Sequence, residues 1–151
     1  MVKKIPSPTS GTIRAELARR HFPDFVRFTH PHLSCGSFHG AYYRALDRFA
    51  RGEIRKLIVT LPPQHGKSQG ATILLPAYLL GRNPDLKIAV ASYNAHMASR
   101  FNRQLQRVME GRHYALTFPR TRLKQNAAKE RSYLRTAEQF EVVGHTGGVL
   151  A

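Results

Sequence analysis

The 151-residue sequence predicts an α/β fold with a mostly parallel sheet and flanking helices. Two short apolar runs, KLIVTL at residues 56–61 and KIAVAS at residues 87–92, have the composition of strands that are buried on both faces. Each run precedes a stretch with helical periodicity. The order strand, helix, strand, helix favours parallel strands that are joined by right-handed crossovers.

Residues 1–35 are expected to form a lead-in to this domain. Residues 1–11 are polar and contain proline and serine, residues 12–22 have the pattern of one helix, and residues 30–36 are expected to be a loop. The α/β domain itself is therefore assigned to residues 36–151.

The second helix is predicted to begin with Ser37 as its N-cap and to end at Gly52. Its apolar face has the spacing of a helix and comprises Phe38, Tyr42, Ala45, Leu46 and Phe49. Its opposite face is a basic stripe formed by Arg44, Arg48 and Arg51.

Two further helices are expected after the predicted strands. One covers residues 67–80 and is kinked or broken at Pro76, because proline lacks the N–H group that a helix interior needs. The other begins after Asn94, a good N-cap residue. Its apolar stripe comprises Met97, Phe101, Leu105 and Val108. Short strands at residues 132–136 and 139–143 are expected to pair as a hairpin.

The chain is strongly basic, with 24 Lys and Arg against 9 Asp and Glu, a formal charge of +15 and a pI near 10.9. Such a surplus predicts a polyanionic partner, with nucleic acid as the first choice and an anionic membrane as the second. A membrane span is not predicted, because the longest apolar run, residues 71–80, contains Pro76 and is shorter than the ~20 residues that a span requires. The single Cys35 and the absence of a secretory signal pattern in residues 1–11 favour a cytoplasmic location.

The most informative motif is LPPQHGKS at residues 61–68, which lies between a predicted strand and the helix that follows it. This is the setting of a P-loop, in which backbone N–H groups at a helix N-terminus hold phosphate. Gly66 lets the backbone approach a phosphate closely, Lys67 can reach the β- and γ-phosphates, and the Ser68 hydroxyl can ligate Mg²⁺. The motif predicts a site for ATP and Mg²⁺, with Lys67 as the catalytic lysine.

The loop departs from the usual pattern at its first position, where Leu61 stands in place of a glycine. Pro62 and Pro63 carry no N–H group, so the phosphate donors must come from residues 64–68. The two prolines instead stiffen the entry to the loop.

PPQHGKS resembles the PPRHGKS-type loop in the large subunit of tailed-phage terminases, the motors that package DNA into capsids. FHGAYYRALDRFARGEIRKLIVTLPP resembles the helix and strand before that loop, and KIAVASYNAHMASRFNRQLQRVM resembles the strand and helix after it. SYLRTAEQFEVVGHTGG resembles the strand pair and Gly-rich turn that precede the acidic strand of the family. The similarity covers roughly residues 36–151 and implies a partial P-loop NTPase domain.

The resemblance also implies roles for individual residues. It assigns ATP-phosphate binding to Gly66, Lys67 and Ser68. It places Phe38 and His39 in the segment where adenine contacts are expected, although Phe38 also suits the first core position of its helix.

The predicted cofactor-binding set also includes His65 and Gln64. His65 matches the family loop without a defined role. Gln64 stands where the family commonly has an arginine, so it can donate a hydrogen bond to a phosphate but supplies no charge.

In that family the complete protein couples ATP hydrolysis to the translocation of double-stranded DNA in the bacterial host cell. Its partners are a small terminase subunit and the portal protein, and a homo-oligomer is expected only for the full-length form. The chain is interpreted as the N-terminal part of such a protein.

Hydrolysis requires an acidic residue at the end of a buried strand to hold Mg²⁺ and a carboxylate to orient water. None of the nine acidic residues follows an apolar run. In the family the acidic strand and an RNase H-like nuclease domain come later than the region matched here. We therefore expect this chain alone to bind ATP weakly without hydrolysing it.

Two alternatives remain open. One is a fragment of a helicase-like ATPase, which shares the order strand, P-loop, helix, strand. The other is a non-catalytic basic nucleic-acid-binding module in which Gly-Lys-Ser is incidental. Arg100, Arg103 and Arg107 lie at helical spacing and could follow a phosphate backbone, although a solvated helix face explains the same spacing. The eight histidines indicate no metal site, because no Cys or carboxylate stands at ligand spacing.

Overall fold

The computed structural model of the chain describes residues 10–125, 130 and 132–151. Its α-helices are α1 Ser10–Arg20, α2 Phe22–Thr29, α3 Ser37–Ala50, α4 Leu75–Arg82, α5 Ala95–Glu110 and α6 Arg112–Thr117, and a π-helical segment, Gln69–Leu74, directly precedes α4. Strands β1 Lys87–Ala89, β2 Gln139–Glu141 and β3 Gly148–Leu150 form a sheet in the order β1-β3-β2. Strand β1 is parallel to β3, and β2 is antiparallel to it. The described part of the protein is thus α/β with a small mixed sheet, and a mostly parallel sheet is not confirmed.

A cluster of aromatic residues in the core lies between α2, α4 and α6. Phe25, Tyr78 and Tyr114 are fully buried. The ring of Phe25 lies 5.3 Å from that of Tyr78 and 6.1 Å from that of Tyr114, both favourable separations for aromatic pairs. The Tyr114 hydroxyl donates to the Ala77 carbonyl at 2.9 Å, so its polar atom is satisfied inside the core. This cluster fixes the surrounding helices against α4. Helix α4 continues the helical segment that begins after the loop at residues 61–68.

The N-terminal region contains two helices. The helix predicted at residues 12–22 is present as α1, with its bounds shifted to Ser10–Arg20, whereas α2 was not predicted. The chain breaks at His21, whose backbone is extended (φ −131°, ψ 127°). Pro23 lies in the first turn of α2, where its missing N–H has no cost. The Phe22 N–H donates to Asp47 Oδ1 of α3 at 2.8 Å. A carboxylate that is distant in sequence therefore fixes a helix start that the apolar pattern does not show.

The predicted strand at residues 56–61 is the main error. Residues 57–61 have no regular secondary structure, no described segment pairs with them, and Ile58 is 91% exposed. A strand requires the backbone of a neighbouring strand for its N–H and C=O groups, and the described residues provide none at this position. The second predicted strand is present but shorter, since β1 ends at Ala89.

For helix α3, the predicted C-terminal end is confirmed and the predicted N-cap is wrong. Gly36, not Ser37, is the N-cap, and the Gly36 N–H donates to His39 Nδ1 at 2.8 Å. At the other end Gly52 has φ 77°, and its N–H and that of the next residue donate to carbonyls of the last turn at 2.9 and 3.0 Å. This is a Schellman ending, and the predicted role of Gly52 is confirmed.

The helical segment is not broken at Pro76, and a change of helix type directly precedes it. The Leu75 N–H donates to the Gly70 carbonyl, which is π-helical spacing, and α geometry resumes in α4. Pro76 lies in the first turn of α4, where the missing N–H is tolerated. The wider turn before it accommodates the ring of the proline without ending the helix.

Helix α5 begins as predicted, because the Asn94 side chain accepts the Met97 N–H at 2.8 Å. The predicted apolar stripe is wrong in part. Leu105 is buried, whereas Met97, Phe101 and Val108 are only half-buried. The most buried face of α5 is rotated away from the predicted stripe, because it includes Asn102 and Gln106. Their amides donate to the Ala137 and Thr136 carbonyls at 3.1 and 2.6 Å.

The predicted C-terminal hairpin is present only in part. Residues 139–141 form β2, but its strand partner is β3. Residues 132–136 contribute an isolated bridge between Arg135 and Phe140 and a 2.9 Å bond from the Glu141 N–H to the Leu134 carbonyl.

In the described part of the chain, no helix is long and apolar enough to cross a membrane.

Candidate phosphate-binding loop

The segment 61–68 is an exposed loop that turns directly into a helix. Lys67 and Ser68 are its first helical residues. Gln64 and Gly66 both have left-handed backbone conformations, with φ 62° and 73°. Within the described structure the N–H groups of residues 64–68 donate to no other group. Left-handed residues in a turn direct successive N–H groups to one side, which is the arrangement of a backbone anion site.

His65 closes this turn. Its Nδ1 lies 2.7 Å from the Pro63 carbonyl oxygen, and a carbonyl can only accept, so Nδ1 carries the hydrogen. The ring is exposed, which leaves the other ring nitrogen available to solvent or a ligand. The bond gives His65 a local structural role that its position in the motif does not indicate.

Helix α3 contacts the C-terminal end of the loop through Tyr42. The Tyr42 hydroxyl donates to the Lys67 carbonyl at 2.7 Å, across two segments that are distant in sequence. Burial raises the pKa of Tyr42 to about 12, so the hydroxyl stays protonated and able to donate at neutral pH. A Cβ on Gly70 would lie 2.7 Å from the Tyr42 ring, closer than real contacts allow. Glycine at position 70 is therefore what lets Tyr42 reach the helix start.

Phe38 and His39 lie beside the loop. The ring of Phe38 is 4.0 Å from that of His39 and 5.5 Å from that of His65. His39 Nδ1 accepts the Gly36 N–H, so its Nε2 carries the hydrogen in the neutral form, and Nε2 lies 3.5 Å from the position of a Cβ on Gly66. Phe38 is 37% exposed and does not belong to the buried core. The structure thus brings an accessible aromatic surface to the edge of the loop.

The loop side chains that were predicted to contact phosphate and Mg²⁺ are exposed or half-buried. The Lys67 side chain is exposed, Ser68 is half-buried, and Gln64 is exposed. Among the described residues, no carboxylate forms a hydrogen bond or ion pair with segment 61–68, and no group of three His, Cys, Asp or Glu could hold a metal ion. The loop backbone has the geometry of an anion site, but the described contacts supply no acidic partner for Mg²⁺.

Sequence reasoning missed two residues of this arrangement. Tyr42 was assigned only to the apolar face of its helix, and Gly70 carried no prediction. Neither has a sequence signal of its own, because their importance arises from contact between α3 and the helix start. No protein-family model, curated protein or solved structure matches the chain.

Proposed function

We propose that the chain binds ATP and Mg²⁺ through residues 64–68, as the nucleotide-binding part of a DNA-packaging motor of the terminase large-subunit type. In the complete protein, ATP hydrolysis would drive translocation of double-stranded DNA, with a small terminase subunit and the portal protein as partners. The observation that supports phosphate binding is the loop backbone. Two left-handed residues and unpaired N–H groups stand at a helix start, next to an exposed lysine.

Each proposed contact follows from the chemistry of its group. The N–H groups of residues 64–68 hold phosphate oxygens, and Lys67 neutralises the β- and γ-phosphates as a point charge. Ser68 offers a hydroxyl to Mg²⁺. Phe38 and His39 provide the ring surface for the base. Since no described carboxylate contacts the loop, the proposal for this chain is binding without turnover.

The test is stabilisation by nucleotide. At an ATP concentration ten times Kd, binding stabilises the native state by about 1.4 kcal/mol, which raises the melting temperature of a domain of this size by roughly 3–6 °C. The Lys67→Ala variant is expected to lose this shift. Lys56→Ala, which removes another exposed lysine outside the loop, is expected to keep it.

Two results would contradict the proposal. One is an unchanged melting temperature of the unaltered chain in millimolar ATP and Mg²⁺. The other is a shift that Lys67→Ala retains in full, since it would place the nucleotide elsewhere. ATP turnover by this chain that Lys67→Ala abolishes would overturn the narrower claim that binding occurs without hydrolysis. Reading the gene beyond Ala151 for an acidic strand and nuclease carboxylates separates a terminase from a helicase-like ATPase.

A second candidate function is a basic nucleic-acid-binding module that does not use nucleotide. The supporting observation is the outer face of α5, where Arg100, Arg103 and Arg107 are all exposed. Binding of DNA without any nucleotide-dependent stabilisation would favour this candidate over the first.

A further inference from the structure

Helix α1 has its largest apolar side chains on its exposed face. Ile13 and Leu17, one helical turn apart, are 49% and 44% exposed. The residues that α1 buries are only Ala15 and Ala18. A surface helix normally turns its large apolar residues toward the core, so α1 is inverted. Packing within the described structure does not account for Ile13 and Leu17.

Two grooves meet along this helix. One has a volume of about 610 Å³ and is lined by Ile13, Leu17 and Leu116 of α6, which is itself 51% exposed. The other has a volume of about 450 Å³ and is lined by Leu17 together with Phe28 and Pro31. Because Leu17 lines both, the two form one apolar surface, which we term the α1–α6 groove.

The walls of the α1–α6 groove are joined by contacts between its helices. Arg19 Nε donates to the Thr117 carbonyl at 2.8 Å, which ties α1 to α6. On the inner side Ala18 is fully buried, and the ring of Phe28 packs against that of His113 at 4.9 Å. The groove is therefore preformed, which reduces the conformational entropy that a ligand must offset on binding.

The rim of the groove is basic. Its charged residues are the four arginines Arg14, Arg19, Arg20 and Arg27 and the two carboxylates Glu16 and Asp24. Glu16 is shared between two arginines at 2.5 and 2.8 Å, and Asp24 pairs with a third at 3.4 Å. In the described structure Arg14 has no ion pair. The rim thus carries a net positive charge around an apolar floor.

We propose that the α1–α6 groove binds an acidic amphipathic helix of a partner protein. Such a helix inserts apolar side chains at positions i, i+3, i+4 and i+7 into a groove, and its acidic flanks complement a basic rim. A second copy of this chain is disfavoured by its own charge of +15. Residues 1–9 of the same chain, MVKKIPSPT, have two lysines and no carboxylate, so they lack the complementary charge. Nucleic acid would leave the apolar floor without a counterpart.

The experiment uses a fluorescently labelled synthetic peptide as the probe. The peptide carries leucine at i, i+3, i+4 and i+7 with glutamate on the flanking positions, and its binding to the full chain is measured by anisotropy. Leu17→Ser is expected to weaken binding at least about tenfold, because it removes the residue shared by both grooves. Leu134→Ser is the matched control, since Leu134 is 41% exposed and lies outside the groove. Arg14→Glu is expected to weaken the binding of the acidic peptide. It is expected to strengthen the binding of a peptide with lysine in place of glutamate.

Each alternative occupant gives a distinct result. Equal binding of a scrambled peptide or of the lysine peptide, or binding that Leu17→Ser leaves unchanged, would overturn the proposal. So would a large gain in peptide affinity on deletion of residues 1–9, which would make that segment the occupant. Competition by duplex DNA or by phosphatidylglycerol vesicles in a Leu17-dependent manner would assign the surface to a polyanion or a lipid. Leu17-dependent dimerisation in sedimentation equilibrium would assign it to a second copy. The melting temperature of Leu17→Ser is measured in parallel to establish that the variant is folded.

Discussion

Tyr42 connects the candidate loop to the rest of the molecule. Its ring is buried in α3 and its hydroxyl holds the Lys67 carbonyl, so the first turn of the helix after the loop is fixed from behind. Next to it, the Tyr43 hydroxyl is buried without a hydrogen-bond partner in the described structure, apart from the nearby Cys35 thiol, a weak hydrogen-bonding group. Two adjacent tyrosines of similar burial therefore differ in what their hydroxyls contribute.

This difference predicts opposite effects of removing the two hydroxyl groups. Tyr42→Phe is expected to lower the free energy of unfolding by about 1 kcal/mol, because a buried hydrogen bond is lost. It is also expected to reduce the stabilisation by ATP, since the loop loses its support. Tyr43→Phe is expected to be neutral or slightly stabilising. Urea unfolding of both variants, with and without nucleotide, measures each effect, and equal losses in the two would contradict the role given to Tyr42.

Gln64 has a backbone conformation that a side chain makes costly. At φ 62° a residue with a Cβ is strained by roughly 1–2 kcal/mol, and glycine is not. We expect Gln64→Gly to be no less stable than the unaltered chain, because the relieved strain offsets the greater entropy of the unfolded chain. Gln64→Val is expected to lose about 1–2 kcal/mol, because a β-branched residue fits this conformation least well. A Val variant that is as stable as the Gly variant in urea unfolding would show that the loop is not held in this conformation.

At the scale of elements, the helix ends that depend on nearby residues could be predicted from the sequence. Asn94 and Gly52 act through hydrogen bonds to their own helix, and Pro76 through its own missing N–H. One failure is local, because Gly36 and not Ser37 is the N-cap of α3. The other failures involve distant partners. The start of α2 depends on Asp47 of another helix, and residues 56–61 lack a neighbouring strand in the described structure. Local pattern therefore predicted most of the helix capping but not the pairing of strands.

The same distinction applies to the candidate site. The loop residues 64–68 and the nearby Phe38 and His39 were predicted from motif and resemblance, and the structure places them together. Their chemical roles remain predictions. The contact of α3 with the start of the loop helix could not be predicted, because it depends on how two elements pack.

Gly70 is the point where these two elements touch. A Cβ at this position would meet the Tyr42 ring at 2.7 Å, so Gly70→Ala is expected to displace either the ring or the helix and to cost about 1–3 kcal/mol. Gly40→Ala in α3 is the matched control. Its Cβ would meet only the flexible end of the Arg44 side chain at 3.3 Å, and alanine gains up to about 1 kcal/mol over glycine in a helix. Thermal unfolding of the two variants should therefore shift in opposite directions, and a stabilising Gly70→Ala would mean that α3 does not contact the loop helix as described.

At the scale of the whole molecule, the excess of positive charge is only partly neutralised within the structure. On α3 and at its C-cap, Arg48 pairs with Glu53 at 3.1 Å and Arg51 pairs with Asp47 at 2.8 Å. The arginines on the outer face of α5 have no ion pairs within the described residues, and all three are exposed. Although the sequence gives both helices a basic stripe, only the stripe on α5 keeps its full charge.

This contrast predicts which stripe binds a phosphate backbone. Each phosphate that a protein neutralises on duplex DNA adds about 0.9 to the slope of log K against log salt concentration. Replacing Arg100, Arg103 and Arg107 with glutamine is expected to reduce that slope by about 2–3 and to weaken binding evenly across DNA sequences. Replacing Arg48 and Arg51 in the same way is expected to change it much less, because their charge is already paired with carboxylates.

Filter-binding or anisotropy titrations over a range of salt concentrations measure both slopes. If both sets of variants changed the slope equally, ion pairing within the fold would not determine the DNA surface, and a slope near zero for the unaltered chain would leave its charge without a role in DNA binding.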